Sequence, residues 1–71
     1  MSDEQLIAEL EFEIGNYLLA AKFAGYWLVK DPDSFAAWDL LGHASLKVGR
    51  IGEGIDALEN AALRKPLSDA S

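Results

Sequence analysis

Cysteine is absent from the chain, histidine occurs once, and six lysines and arginines stand against twelve aspartates and glutamates. Each shortage removes a class of function. Without thiols there are neither disulfides nor thiolate metal sites, and one imidazole is too few for a histidine-built metal centre. Six scattered cations cannot form the basic stripe that a nucleic acid or an anionic membrane surface requires, and the formal charge of −6 points the same way. Long apolar runs are also missing. The densest, Tyr17 to Val29, is interrupted by Lys22 and is too short to span a bilayer. The opening residues, MSDEQ, are acidic and polar, whereas a signal peptide starts basic and continues apolar. The expectation is a cytoplasmic protein without a cofactor that binds neither nucleic acid, nor membrane, nor small-molecule substrate.

What is present is apolar and short. Hydrophobic residues make up 51% of 71 positions, which is one small domain spanning residues 1–71. Such a domain buries only about 60% of the surface its unfolded chain exposes, and its core supplies ~3–5 kcal/mol. With disulfides and metals excluded, association with another protein chain is the supplement that remains.

The pattern along the chain is helical throughout. Ser2 followed by Asp3, Glu4 and Gln5 has the form of a capping box, and Leu6, Ile7, Leu10 and Ile14 follow at amphipathic spacing. Gly15-Asn16 ends this first helix. Tyr17 to Lys30 is the second. It is apolar on nearly every side, a pattern that ordinarily means burial on every side. Asp31-Pro32-Asp33 stops it. Asp33 or Ser34 caps a third helix from Phe35 to Val48, ended by Gly49. The fourth runs from Ile51 to Lys65, with Ile51, Ile55, Leu58, Ala61 and Ala62 on one face. It stops before Pro66, and residues 67–71 form a frayed tail.

Shifted by 34 residues, the two halves coincide at their punctuation: Gly15 falls on Gly49, and Pro32 on Pro66. Small residues coincide as well, Ala8 with Gly42 and Ala20 with Gly54, where they would let the two helices of each hairpin approach closely. A 34-residue helix–turn–helix period with a terminal proline resembles the tetratricopeptide repeat. The resemblance spans repeat one, 1–34, and repeat two, 35–68. Trp38, Leu41, Gly42, Gly49, Leu58, Ala61 and Pro66 stand where that family places such residues; Ser45 replaces its usual tyrosine and Gly54 its usual alanine. The first copy is degenerate, with Glu4 in place of the tryptophan, Glu11 in place of the buried tyrosine, and Trp27 where a small alanine is usual. The resemblance implies an all-α fold of two antiparallel helix-turn-helix hairpins, stacked as a short right-handed α-solenoid.

No constellation of catalytic residues emerges. The segment Gly49-Arg50-Ile51-Gly52-Glu53-Gly54 follows a helix and lacks the strand and lysine of a phosphate loop. His43 has Asp39 four residues before it, the spacing of a helical polar pair. Glu9, Glu11 and Glu13 point to different sides of their helix and read as a solvated acidic face. The chain is therefore expected not to be an enzyme. The resemblance implies a concave face carrying Ser2, Gln5, Glu9, Phe12 and Glu13 from the first repeat and Ala36, Asp39, His43, Leu46 and Lys47 from the second. Its acidity disfavours an acidic C-terminal peptide and suits a neutral or basic segment anchored on Phe12 and Leu46. A second surface is Leu19, Phe23 and Tyr26, an apolar stripe at i, i+4, i+7 on the nominally outer side of the second helix. Because repeat arrays usually need about three units, two hairpins leave the side around Ile55, Leu58 and Ala62 without a cover. The expected function is protein–protein binding: self-association into a homo-oligomer, or scaffolding of a partner. The alternative is a small chaperone or adaptor of a bacterial secretion or assembly system that holds a partner helix or peptide.

Overall fold

A computed structural model describes residues 3–65; the Ser2 cap, the Pro66 stop and the tail at 67–71 lie outside the described residues. Within them the chain forms four helices and no strand: α1 (Asp3–Glu13), α2 (Tyr17–Lys30), α3 (Phe35–Lys47) and α4 (Ile51–Leu63). None is long and apolar enough to cross a membrane. Two antiparallel hairpins, α1–α2 and α3–α4, are joined by α3 packing against α2. α1 meets α3 along a narrow strip, and α4 packs on α3 alone.

The two hairpin turns are built alike, which gives the 34-residue offset a physical meaning. Gly15 and Gly49 take φ values of +91° and +86°, the left-handed region that a side chain disfavours. In the first turn the Asn16 amide donates to the Glu11 carbonyl at 2.8 Å and the Gly15 amide to Phe12 at 3.2 Å. In the second, Arg50 donates to Ser45 at 2.9 Å and Gly49 to Leu46 at 3.1 Å. This double bond pattern around a left-handed glycine satisfies the last free carbonyls of each helix. Ser34 caps α3, its hydroxyl accepting from the Ala37 amide at 3.1 Å.

Close approach at the small residues follows the same offset. Ala8 and Ala20 are completely buried between α1 and α2. Gly42 and Gly54 face each other across α3 and α4. A methyl placed on Gly42 would lie 2.6 Å from Cγ and Cδ2 of Leu58 and 3.2 Å from the Gly54 carbonyl oxygen. One on Gly54 would meet Leu46 at 2.7 Å and the Gly42 carbonyl oxygen at 3.0 Å. By contrast Gly25 and Gly52, both helical, have open space where a Cβ would stand.

The core that results is made of small side chains. One cluster holds Ala8, Ala24, Trp27 and Ala37, and the other Ala20, Ala21 and Ala44. Ser45 is the largest side chain with essentially no exposure, and Trp27 retains 5%. The expectation that α2 is buried on every side is corrected here. α2 has neighbours only in α1 and α3, so Leu18, Leu19, Tyr26 and Val29 remain exposed while Ala20, Ala21, Ala24 and Trp27 are covered.

Each hairpin also carries one clasp between the start of its first helix and the end of its second, at equivalent positions. In the second hairpin the Arg64 guanidinium lies over the Trp38 ring at 5.3 Å and its Nε donates to Asp33 at 3.2 Å. The indole N–H of Trp38 in turn donates to the Pro32 carbonyl at 2.8 Å. In the first hairpin Glu4 replaces the tryptophan and Lys30 replaces the arginine, and the two form an ion pair at 3.2 Å. A change from cation–aromatic to cation–carboxylate thus keeps the contact. A backbone amide hydrogen bond to the Glu4 carboxylate, and then Lys30, hold its pKa below the ordinary glutamate value.

Two expectations follow. Gly25→Ala and Gly52→Ala should each raise stability by about 0.5–1 kcal/mol, because the helix loses a flexible residue and nothing obstructs the methyl. Gly42→Ala and Gly54→Ala should instead lower it by about 1 kcal/mol or more, since overpacking costs ~1–3 kcal/mol and exceeds the propensity gain. Thermal melts at matched concentration separate the pairs, ~1 kcal/mol moving Tm by about 4–8 °C in a domain of this size. The second concerns pH. A depressed carboxylate pKa contributes stability that is present above the unfolded value and disappears as pH falls through the folded one. Glu4→Gln should therefore melt below the wild type near neutral pH, and the two should converge as the medium is acidified through the carboxylate range. A gap that persists in strong acid would mean that the loss is one of shape and not of charge.

Candidate interaction surfaces

Side chains too large for the thin core are displaced to the margins, and they gather on three surfaces. The first is the concave groove between α1 and α3, about 400 Å³, lined by Leu6, Leu10, Phe12 and Leu40 with Glu9 and Glu13 at its edge. Phe12 is fixed there by an edge-to-face contact with Tyr17 at 5.2 Å between ring centres. The Lys47 ammonium lies 5.7 Å from the centre of the same Tyr17 ring. Its lining is apolar except for the two carboxylates, Glu9 and Glu13.

Other residues expected on the concave face are engaged elsewhere. Leu46 packs toward α4, with Cγ and Cδ2 against the backbone of Gly54, and belongs to the α3–α4 contact. His43 lies exposed beside Asp39, Nε2 to Oδ1 3.3 Å, as a helical i,i+4 pair. Ser2 lies outside the described residues. Among the described residues, no three His, Cys, Asp or Glu side chains stand together as a candidate metal site.

The second surface is the outer side of α2. Leu19 and Tyr26 are exposed, but Phe23 between them is half-buried against the cluster of Ala8, Ala24, Trp27 and Ala37. Phe23 and Tyr26 meet edge to face at 5.5 Å, so the buried ring orients the exposed one. The stripe is therefore half core and half surface. A neighbouring groove of about 380 Å³ between α2, α3 and α4 brings Leu18, Leu19 and Lys22 together with Leu41, Ser45, Arg50 and Glu53. Ser45, a small side chain in its lining, helps to leave this space open.

The third surface is the pair of end faces. At the α1 end, Leu6 and Leu10, which also line the groove, and Ile14 just past the helix stand at i, i+4, i+8 and are 47%, 54% and 70% exposed. On α4, Ile51 and Ile55 are about half exposed and Ala62 is exposed beside the partly buried Leu58. The helical spacing of Leu6, Leu10 and Ile14 identifies an apolar face, but periodicity alone does not tell that no helix covers it. That signal was available in the offset: Leu40, Ala44 and Val48 are their counterparts on α3, where α2 and the first turn lie against them.

Set against known proteins, the chain matches no family model, no curated protein and no solved structure.

The split of the α2 stripe makes its residues respond differently to truncation. Phe23→Ala should cost about 2 kcal/mol, below the ~3–5 kcal/mol of a fully buried phenylalanine. Tyr26→Ser and Leu19→Ser should stay within ~1 kcal/mol in the monomer. Urea titrations followed by circular dichroism at low concentration distinguish these, and equal effects at all three would place the whole stripe in the core.

Proposed function

We propose that the chain is a non-catalytic protein-interaction module of two tetratricopeptide-like hairpins, which covers its apolar helix faces by self-association or by holding a partner protein. The observation that carries this reading is the inverted use of side-chain size. Apart from Trp27 and Ser45, alanine and glycine occupy the interior, while ten large hydrophobic side chains remain 40% or more exposed. Fully burying one Leu or Ile is worth about 1.5–3 kcal/mol. Half-exposed residues at the two end faces thus leave several kcal/mol of transfer energy for another chain to collect, comparable with the ~3–5 kcal/mol that a core of this size supplies. The 34-residue repeat of turns, small-residue contacts and clasps supports the family assignment.

The groove between α1 and α3 favours a second form of the same reading, an adaptor or chaperone that holds a partner's helix or peptide. Its apolar floor of Leu6, Leu10 and Phe12 and its acidic edge of Glu9 and Glu13 fit a segment carrying an apolar anchor beside a cation.

Light scattering after size exclusion tests the proposal. From micromolar to high micromolar concentration the chain should exceed its 7.7 kDa monomer mass, or should co-purify with one partner at a fixed ratio. A chain that remains monomeric over that range, and that holds no protein at fixed stoichiometry in its native source, would sink the proposal. Tyr26→Glu tests the outer side of α2 without disturbing the core. If that face is the interface, the mass should fall to the monomer with helix content unchanged.

A further inference from the structure

We infer that the two end faces are made for each other, so that copies of this chain add head to tail, the α1 face of one copy on the α4 face of the next. This rests on the interaction-module reading and specifies its partner as a second copy. The argument comes from the one junction that the chain already contains, where α3 packs on α2. Its contacts centre on Ala21 and Ala24 of α2 against Ala37, Leu40, Leu41 and Ala44 of α3.

Moved by the 34-residue offset, each side of that junction lands on an uncovered apolar face. The α3 positions Leu40, Leu41, Ala44 and Val48 become Leu6, Ile7, Leu10 and Ile14 on α1. The α2 positions Tyr17, Ala21, Ala24 and Leu28 become Ile51, Ile55, Leu58 and Ala62 on α4. The covered members are buried or half-buried, whereas Leu6, Leu10, Ile14, Ile51, Ile55 and Ala62 are exposed. Each of these eight replacements is apolar; of the named junction contacts, Ala37 alone lands on a charged residue, Asp3. Repeating the internal operation between chains thus covers both faces and continues the stack, and Leu10 meets Ile55 where Ala44 meets Ala21. The contact joins two different patches, so it is heterologous. It closes only if the rotation returns on itself, and otherwise it grows open-ended.

The charged groups bordering the junction give a second, independent signature. Lys22 and Ser45 line one groove within the chain. Their counterparts between copies are Asp56 and Glu11, two carboxylates. Like charges therefore oppose the addition of each copy, and salt should promote it.

The test uses the full chain and two substitutions, each disabling one end. In about 0.5 M salt, where screening is well under the ~10 Å of 0.1 M, the weight-average mass of the wild type should climb with concentration. Leu10→Glu removes the α1 face and Ile55→Glu the α4 face; each should be a helical monomer alone. Mixed in equal amounts they should form a heterodimer and stop there, because the first retains a working α4 face and the second a working α1 face. Asp56→Lys, which restores the cation found at Lys22, should bring association to severalfold lower concentration and flatten its dependence on salt. If either glutamate variant loses helix content, Leu6→Gln and Ile51→Gln take their places. A closed dimer indifferent to both substitutions would overturn the head-to-tail arrangement and keep self-association. A mixture that stays monomeric also overturns it. A wild type that is monomeric in high salt overturns it too, while the partner-holding form of the function remains open to its own test by fixed-ratio co-purification.

Discussion

Where α3 crosses α4, Gly42 and Gly54 bring two helix backbones so near that a methyl on either would strike a leucine branch or a carbonyl oxygen. Ala8 and Ala20 hold the equivalent place in the first hairpin. This nearness governs much else. Helices that approach so closely leave little room between them for large side chains, so the interior is mostly Ala20, Ala21, Ala24, Ala37, Ala44, Ala57 and Ala61, with Trp27 the one large side chain buried among the described residues. Leucine and isoleucine are then displaced to the margins of the contact, where Leu46 and Leu58 pack over the glycines from either side. Dispersion contacts between backbones replace much of the transfer energy that a core of large side chains would give.

The thin interior sets how the molecule meets other molecules. Packing small residues fixes geometry well, because alanine has no rotamer to choose, but it removes little apolar area from water per residue. The clasps at Glu4–Lys30 and Trp38–Arg64 hold the hairpin ends without adding a core. Both clasps lie at the surface, where solvent screening keeps such contacts weak, so they orient more than they stabilise. A chain of this kind has its shape specified from within and much of its apolar surface outside.

Much of this architecture was legible in the sequence because turns and close contacts are written in residues with few alternatives. Gly15 and Gly49 stand at positive φ, and the offset between them sets the register of both hairpins. Setting Leu19, Phe23 and Tyr26 aside as the outer stripe of α2 leaves Tyr17, Ala20, Ala21, Ala24, Trp27 and Leu28 among the rest, and each of these is buried or half-buried. Less legible was the fate of side chains that could serve two surfaces. Phe23 belongs by spacing to the outer stripe with Leu19 and Tyr26, yet its long ring reaches back to Ala8 and Trp27. Leu46 belongs by position to the concave face, but the missing side chain of Gly54 gives it a closer place to pack. Periodicity reports which face of a helix is apolar. It does not report what lies against that face, so spacing alone left Leu6, Leu10 and Ile14 indistinguishable from core, and only the 34-residue offset set them apart.

The size of the residues at equivalent positions bears on why the two ends differ from the middle. Inside the chain, α2 and α3 meet through Ala21, Ala24, Ala37 and Ala44. The covalent connection between them has already removed the translational and rotational cost of bringing them together, so small contacts suffice. Between separate copies that cost is about 4–15 kcal/mol, and it must be offset by apolar area alone when the flanking charges are alike. Leu10 in place of Ala44, Ile55 in place of Ala21 and Leu58 in place of Ala24 supply such area where a tethered junction would not require it. In the proposed contact their bulk would hold the facing helices toward the upper part of the ~8–10 Å range of packed helices, with space for the carboxylates of Glu11 and Asp56 to stay hydrated. A junction of large side chains, wider spacing and hydrated like charges is one that can open again. In the proposed stacking, larger residues at these three positions would make the contact between copies reversible where the tethered one inside the chain is permanent.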